Sequence, residues 1–286
     1  MNADFAIGSC RYRIKKLARH AVAAASSRLR DVPSGSKPCI RVLSYHRFGH
    51  EKFDPVAVHP TAFDKQLQWL KCHMDVLSPA RFTALHEGRE KLNCDVVLIT
   101  IDDGHHSVMN LALPLLARHG LQAVLFVCPA IVDDATSRGS RSESEFLGWP
   151  ELSHAKSLGH EVASHGLTHR SLTRMSLQQA QFEIATAQAK LRDRLGVRNA
   201  FFAFPFGTRA DFSQKLARVL LQFGYRYCFT SIHGACRPMD PSNLFPRVKV
   251  ESGEDLNMFA HIARGNIDVW RYVDALAWPL QQRGRM

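Results

Sequence analysis

The chain has 286 residues, of which 45% are hydrophobic and 22% charged, and its formal net charge is +11. This composition excludes a disordered or fibrous protein and allows one sizeable α/β core. No run approaches the roughly 18 to 20 uncharged apolar residues that cross a bilayer, and no early run is long enough for a signal-peptide core. We therefore expect a cytoplasmic protein whose seven cysteines, which form no CxxC pair, are free thiols.

Residues 1–38 form a basic arm, which we separate from a main domain at 39–286. The arm has eight Lys or Arg against two acidic residues and so holds +6 of the net charge. Its apolar residues recur at helical spacing with the cations beside them, namely Ile14, Leu17, Ala18, Ala21, Val22, Ala25 and Leu29 against Lys15, Lys16 and Arg19. Three interpretations stay open: peripheral contact with the inner face of a membrane, a solvated arm, or a helix packed on the main domain. Turn formers at 31–38 predict a linker, and the arm lacks the stacking aromatics and motifs of a nucleic-acid binder.

Short apolar runs alternate with helical patterns through the main domain. Seven runs predict strands, at 40–44, 96–101, 123–127, 161–164, 201–204, 225–230 and 248–250. Helical periodicity covers 61–74, 106–119 and 176–195, with Gly196 as the C-cap of the last helix. The repeated strand-helix order predicts a parallel sheet with helices outside it, and this number of strands suits a barrel. In such folds the reactive side chains gather where strands end.

The predicted strand at 96–101 runs directly into Asp102, Asp103 and Gly104. Adjacent carboxylates repel each other, and holding both ionised beside a buried strand is costly unless a cation or hydrogen bonds compensate. A divalent metal would compensate. The structural alternative is a turn or helix cap of the Asp-Asp-Gly type.

Another predicted strand leads into His165 and His169, with Gly166 between them for a tight turn. Two imidazoles and one carboxylate form the nitrogen-and-oxygen set that zinc favours, and this ligand count leaves a position open for water and substrate. A chain with fifteen histidines also produces such a pair by chance. The pair therefore indicates a catalytic metal site only in combination with the two aspartates.

Two further strand ends carry candidate residues. The aromatic run at 201–207 is stopped by Pro205 and Gly207, and core packing is the structural alternative for its first two phenylalanines. The first predicted strand ends at Tyr45 and His46. A lone histidine at such a place is more often structural than catalytic.

Taken in chain order, four motifs resemble those of the polysaccharide deacetylases of carbohydrate esterase family 4, the proteins with a NodB homology domain. They are Tyr45-His46-Arg47, Thr100-Ile101-Asp102-Asp103-Gly104, Ser164-His165-Gly166-Leu167-Thr168-His169 and Phe202-Ala203-Phe204-Pro205-Phe206-Gly207. The match covers roughly residues 40–250 and looks most like the branch that deacetylates poly-N-acetylglucosamine exopolysaccharides.

This resemblance implies a distorted (β/α) barrel of about seven parallel strands. It implies Asp103, His165 and His169 as ligands of a divalent metal, zinc first; Asp102 as the base for a metal-bound water; His46 as general acid; and Arg247 as the group that orients the base. The implied reaction is hydrolysis of the acetyl amide, a linear carbon-nitrogen bond, in N-acetylhexosamine units of a polysaccharide or lipid-linked sugar.

The chain departs from the family pattern at three places. Ile101 replaces the usual Phe, Gly166 replaces Ser or Thr, and Phe204 and Phe206 stand where tyrosines are usual. Gly166 lacks a hydroxyl that could brace the loop, and Phe206 lacks one that could contact substrate. The chain also has no separate late Leu-x-His motif, which leaves His46 for the acid role.

Pro205, Phe206 and Trp149 are the candidate substrate contacts, because aromatic rings stack on pyranoses. A core or loop anchor is the alternative for Trp149. Two other functions stay open: an O-acetyl polysaccharide esterase, and a sugar-binding relic of the same fold without turnover.

Overall fold

The computed structural model describes residues 10–30, 37–50, 54–138, 145–197, 200–240 and 242–283, so most of the predicted linker lies outside the described residues. The strands are β1 Ile40–Tyr45, β2 Arg47–Phe48, β3 Ala57–Val58, β4 Asp75–Leu77, β5 Val96–Ile101, β6 Val124–Val127, β7 Glu161–Ser164, β8 Phe201–Ala203, β9 Tyr227–Phe229, β10 Leu244–Phe245 and β11 Val248–Lys249. The α-helices are α1 Cys10–Arg30, α2 Pro60–His73, α3 Pro79–His86, α4 Leu113–His119, α5 Pro129–Arg138, α6 Trp149–Ser157, α7 Leu177–Leu195, α8 Gln214–Gln222, α9 Leu256–Arg264 and α10 Trp270–Arg283.

The main sheet of the described part has nine strands, and every pair in it is parallel. Its path runs β10-β9-β8-β7-β6-β5-β1-β11, and β4 pairs with the first half of β5. All seven predicted strands lie in this sheet, which confirms the expected barrel-type architecture. The sequence pattern did not predict β4 and β10, which have three and two residues.

The sheet curls into a barrel. β10 and β11 stand at opposite ends of the sheet path, yet only Pro246 and Arg247 separate them along the chain. Two residues span less than about 10 Å, so the two edges must lie close together. This seam places Arg247, which is 1% exposed, inside the barrel.

Alternate residues of the strands pack on opposite faces. On β5, Val97 and Ile99 join the layer that packs against helices, while Leu98 points into the barrel interior with Phe126. Phe82 of α3 packs on the interior as well, with ring centroids 5.3 Å from Tyr227 at the start of β9. α3 therefore closes the end where strands begin, and the site is confined to the other end.

The three predicted helices are present. α7 begins at a capping box between Ser176 and Gln179 and ends at Gly196, whose φ of +65° is left-handed, as the C-cap prediction requires. The helix predicted at 106–119 begins instead with a π-helical turn, Val108–Ala112, before α4. Such turns are frequent at functional sites.

The basic helix α1 docks on the main domain with its charged face. Arg19, 1% exposed, forms ion pairs of 3.1 Å with Glu251 and 2.9 Å with Glu254, and Tyr12 donates a 2.8 Å hydrogen bond to the carbonyl of Ser252. Lys15 pairs with Glu251 as well, at 2.5 Å. The geometry is therefore that of a helix packed on the domain.

This packing alters the argument for membrane contact, because different side chains face outward from those we expected. Membrane contact itself stays a prediction. Lys15 and Arg19, expected to face anionic lipid, are engaged by the domain, and Lys16 donates to the Ser252 carbonyl. The predicted apolar stripe faces outward instead, with Ile14 59% and Leu17 71% exposed. Within the described ranges, none of the helices is both long and apolar enough to span a bilayer.

Candidate metal and catalytic site

Four strands of the barrel deliver the candidate residues to one end. His46 follows β1, Asp102 and Asp103 follow β5, His165 follows β7, and the Pro205 turn follows β8. Parallel strands bring their carboxyl ends to the same edge, so residues far apart in sequence converge there. Arg247, by contrast, reaches the site from inside the barrel.

Asp103, His165 and His169 come together at this end. Asp103 Oδ1 lies 3.5 Å from His165 Nε2 and 3.2 Å from His169 Nε2, and one ligand atom from each residue falls within 4.8 Å of the others. His165 Nδ1 donates a 2.7 Å hydrogen bond to the carbonyl of Ala203. In a neutral imidazole this leaves the Nε2 lone pair free to bind a metal.

The donor set fits a divalent cation. Asp103 Oδ1 is buried and has no hydrogen-bond partner among the described residues, and an orphaned buried carboxylate oxygen is costly unless a cation satisfies it. Burial raises the pKa of Asp103, but the close contact with His169 and the charges of His46 and His165 lower it well below its usual range. The carboxylate is therefore ionised at neutral pH, as a metal ligand must be.

Asp102 is held by Arg247 in a bidentate ion pair. Arg247 Nη1 donates to Asp102 Oδ1 at 2.7 Å and Nη2 to Oδ2 at 2.8 Å, while Nε donates to the carbonyl of Thr230 at 3.0 Å. Burial raises the pKa of Asp102, but the charges of Arg247, His165 and His46 together outweigh it, and the net shift is downward. Asp102 is thus an ionised, oriented acceptor, which agrees with the base and orienting roles expected of this pair.

His46 lies beside Asp102, with 3.9 Å between Nε2 and Asp102 Oδ2. Burial, followed by the charge of Lys249, lowers the pKa of His46 to about 4, although the two aspartates act in the opposite direction. His46 is consequently neutral near pH 7 in the metal-free protein. Its role as general acid stays a prediction, and that role requires a proton gained during the reaction.

Lys249 is a site residue that the sequence reasoning missed. It pairs in register with Ser44, two residues before His46, and it lies near enough to lower the pKa of that histidine. Burial in turn lowers the pKa of Lys249 itself. The sequence did contain a signal for Lys249. Residues two apart in a strand point to the same face, so Lys249 is expected on the same face as Arg247.

Left-handed backbone is concentrated at this site. Four non-glycine residues of the described part have positive φ, and three of them are Asp103 at +70°, His169 at +58° and Phe206 at +62°. This conformation costs an L-residue roughly 1–2 kcal/mol, so the surrounding contacts must hold it. Gly166 also has a left-handed φ, +79°, so glycine suits this position despite the missing hydroxyl.

The three candidate substrate contacts differ in their surroundings. Phe206 is 46% exposed, and its ring lies edge-on to His169 with centroids 4.8 Å apart. Pro205 is buried beneath it, and its carbonyl accepts from the Gly207 N–H at 2.7 Å. Trp149 is 6% exposed in the core, and its Nε1 donates to Asp133. Because it is buried, the Trp149 ring cannot contact a sugar. Trp149 is therefore a core anchor, and we exclude it from the substrate contacts.

A cavity of about 550 Å³ opens beside these strand ends. The segments that follow His46 and Asp103 form its walls: Phe48, Gly49, His50, His105, His106, Ser107, Asn110 and Leu111. Its lining is mixed, with two large apolar side chains and several that can form hydrogen bonds.

The comparisons with known proteins agree with this geometry. Residues 89–228 match the family model described as polysaccharide deacetylase. The chain is 22% identical to YxkH of Bacillus subtilis (strain 168) over 213 residues, which are 74% of this chain and 71% of that protein.

Three solved structures share the fold. The Streptococcus pyogenes deacetylase PplD in complex with acetate is 19% identical, with a TM-score of 0.70 over 80% of this chain and 99% of that one. IcaB from Ammonifex degensii is 22% identical, with a TM-score of 0.67 over 81% and 98%. A de-N-acetylase from Aggregatibacter actinomycetemcomitans is 15% identical, with a TM-score of 0.67 over 78% and 99%.

The polysaccharide deacetylase family model matches just under half of the chain. The matched residues include both aspartates and both histidines of the site, whereas His46 and Arg247 lie outside them. The resemblance predicted from the four motifs is thereby confirmed. The roles of the individual residues stay predictions that the geometry supports.

Proposed function

We propose that this chain is a metal-dependent hydrolase that removes acetyl groups from N-acetylhexosamine units of a polysaccharide or a lipid-linked sugar. The observation that carries the proposal is the buried Oδ1 of Asp103, which has no hydrogen bond among the described residues and faces the Nε2 atoms of His165 and His169. A bound divalent cation, zinc first, supplies Lewis acidity there, polarising the acetyl carbonyl and lowering the pKa of water.

Asp102 acts as the base. Its Oδ atoms are fixed by Arg247 beside the proposed metal ligands, so the carboxylate is oriented before substrate arrives. It takes the proton of the attacking water. The oxyanion that forms is stabilised by backbone donors at the Pro205 turn. Because the Gly207 N–H is engaged by the Pro205 carbonyl, we assign this task to the Phe206 N–H.

His46 delivers a proton to the departing amine. Its pKa of about 4 makes it neutral at the start of the reaction. Asp102, whose Oδ2 is 3.9 Å from Nε2, gains a proton when water is deprotonated and can pass it to His46. The proton then leaves on the amine nitrogen, and both groups return to their starting state.

The surface around the site suits a polymer. The exposed ring of Phe206 stands next to His169 and can stack on the reacting sugar, and the 550 Å³ cavity can hold a neighbouring unit. Two structurally similar proteins support removal of an acetyl group, since one is named a deacetylase in complex with acetate and the other a de-N-acetylase.

Acetate release from defined substrates tests this proposal. N-acetylglucosamine oligosaccharides and O-acetylated xylo-oligosaccharides would be compared with and without chelator, followed by re-addition of zinc. We expect release from the N-acetylated series that chelation abolishes and zinc restores. Release from the O-acetylated series alone would identify an O-acetyl esterase, and zinc binding without any release would identify a sugar-binding relic.

A further inference from the structure

Glu183 is a buried acid that the proposed chemistry does not use. It lies on α7, outside the four motifs, and is 7% exposed. Its carboxylate accepts three hydrogen bonds from the loop between the two histidines: from the Leu167 N–H at 3.0 Å, the Thr168 N–H at 3.1 Å and the Thr168 hydroxyl at 2.7 Å. Both oxygens act as acceptors, as an ionised carboxylate does.

The loop that Glu183 holds carries two of the three proposed metal ligands. His169 has a left-handed φ of +58°, a conformation that needs outside support. Contacts on the other side fix carbonyls of the loop: Cys128 Sγ donates to the His165 carbonyl at 3.0 Å, and the Ala130 N–H to that of Leu167 at 3.1 Å. Glu183 alone supplies acceptors for the N–H groups of both residues between Gly166 and His169.

Gly166 lies next to this acid. A Cβ built at Gly166 would lie 3.9 Å from Glu183 Oε2 and 3.4 Å from Pro205 Cγ, which are ordinary van der Waals distances. The left-handed φ of +79°, rather than a lack of space, favours glycine at this position. The glycine that replaces the family hydroxyl thus accompanies a brace that comes from α7.

We propose that Glu183 is a positioning residue that sets His165 and His169 at metal-binding distance by fixing the loop between them. This inference rests on the metal site of the proposed function. Outer contacts of this kind change metal affinity by about 10–100-fold when removed. Methionine at this position keeps nearly the same size but has no oxygen, so it removes the acceptors of all three hydrogen bonds.

Two measurements on Glu183→Met test the role. Zinc affinity, from competition with a chromophoric chelator, is expected to fall about 10–100-fold. In the metal-free protein, amide hydrogen exchange at Leu167 and Thr168 is expected to accelerate, while exchange in the core strand β5 stays unchanged. Asp193→Asn is the matched control, since Asp193 is on the same helix with its side chain 63% exposed, and it should bind zinc as the wild type does.

Thr168→Val keeps the test decisive if Glu183→Met does not fold. It removes only the hydroxyl hydrogen bond and leaves the two N–H bonds, so zinc affinity should fall by less than in Glu183→Met. Wild-type zinc affinity in a folded Glu183→Met, or in Thr168→Val should the first variant not fold, would overturn the inference and leave the proposed function standing. A wild-type chain that binds no zinc would overturn the proposed function and the inference with it.

Discussion

Asp102 and Asp103 are adjacent in sequence, but the fold gives them opposite surroundings. Arg247 compensates the first inside the barrel, whereas the second faces two imidazoles and lacks a hydrogen-bond partner at Oδ1 among the described residues. These different surroundings suit Asp102 to the role of base and Asp103 to the role of metal ligand, although the two residues are adjacent. Substitution of Asp102 and, separately, of a proposed metal ligand tests this difference through zinc binding and acetate release.

Asp102→Asn is expected to keep zinc binding and to lower the rate of acetate release by about 10²–10⁴-fold, because the amide cannot accept a proton. His165→Ala is the comparison, and it should lose zinc binding and acetate release together because it removes a ligand. Acetate release by pure Asp102→Asn at the wild-type rate would remove Asp102 from the role of base.

His46 makes the stability of the metal-free protein depend on pH. Its folded-state pKa of about 4 lies below the ordinary value of 6.5, so the unfolded chain binds the proton more tightly. Stability is therefore full above pH 6.5 and is lost as the pH falls toward 4. Between pH 7 and pH 5 this histidine should cost about 2 kcal/mol.

Urea unfolding of the chelator-treated protein at both pH values measures this loss. His46→Gln, which cannot titrate, is the control and should show a loss smaller by about 2 kcal/mol. An equal loss in the two proteins would show that the histidine is not buried in the neutral form.

For single residues, the sequence patterns predicted the site residues that directly follow strands. They did not predict a residue that reaches the site from a helix. His165, His169 and the aspartates follow long apolar runs, and parallel topology alone brings them together. Glu183 lies on the face of a helix, and its importance depends on a contact with Thr168 across the fold. No local pattern contains such a contact.

Among the elements, the turn after β5 has little room for change. Gly104 has a φ of +65°, and a Cβ there would lie 2.9 Å from Val127 Cγ1. Gly120, the C-cap of α4, has a φ of +67° and nothing within 4 Å of an added Cβ. The two glycines share a backbone conformation and differ in their surroundings.

Gly120→Ala is expected to lower the free energy of unfolding by about 1–2 kcal/mol through backbone strain alone. Gly104→Ala should cost about 1–3 kcal/mol more because β6 must also move. Chemical denaturation of both variants measures the difference. An equal loss in the two would mean that Val127 does not confine the turn that carries Asp103.

Helix α1 shows the limit of periodicity at the same scale. The apolar stripe was predicted correctly as a helix pattern, but the stripe faces outward and the charged face docks. Arg19 is separated from Glu251 and Glu254 by more than 230 residues in sequence, so their charge compensation is visible only in the fold. Burial of an arginine is rare without such partners, so spacing alone favoured the opposite orientation.

For the whole molecule, the ion pairs of Arg19 join the basic arm to the segment that follows β11. Removing one partner of a buried ion pair costs about 3–5 kcal/mol, because the remaining charges stay buried. Arg19→Ala should therefore lower the free energy of unfolding by that amount. Thermal and urea unfolding provide the measurement.

Arg13→Ala is the matched control on the same helix, since Arg13 is exposed, and it should change stability by less than about 0.5 kcal/mol. Similar stability in Arg13→Ala and Arg19→Ala would indicate that α1 is a detached arm in solution.

Zinc titration of the metal-stripped protein most directly tests the central claim that Asp103, His165 and His169 surround one cation. We expect one zinc ion per wild-type chain, unchanged binding in His154→Ala, whose histidine is exposed on α6, and loss of that ion in His169→Ala. Wild-type binding in His169→Ala, or no binding in the wild type, would contradict the claim.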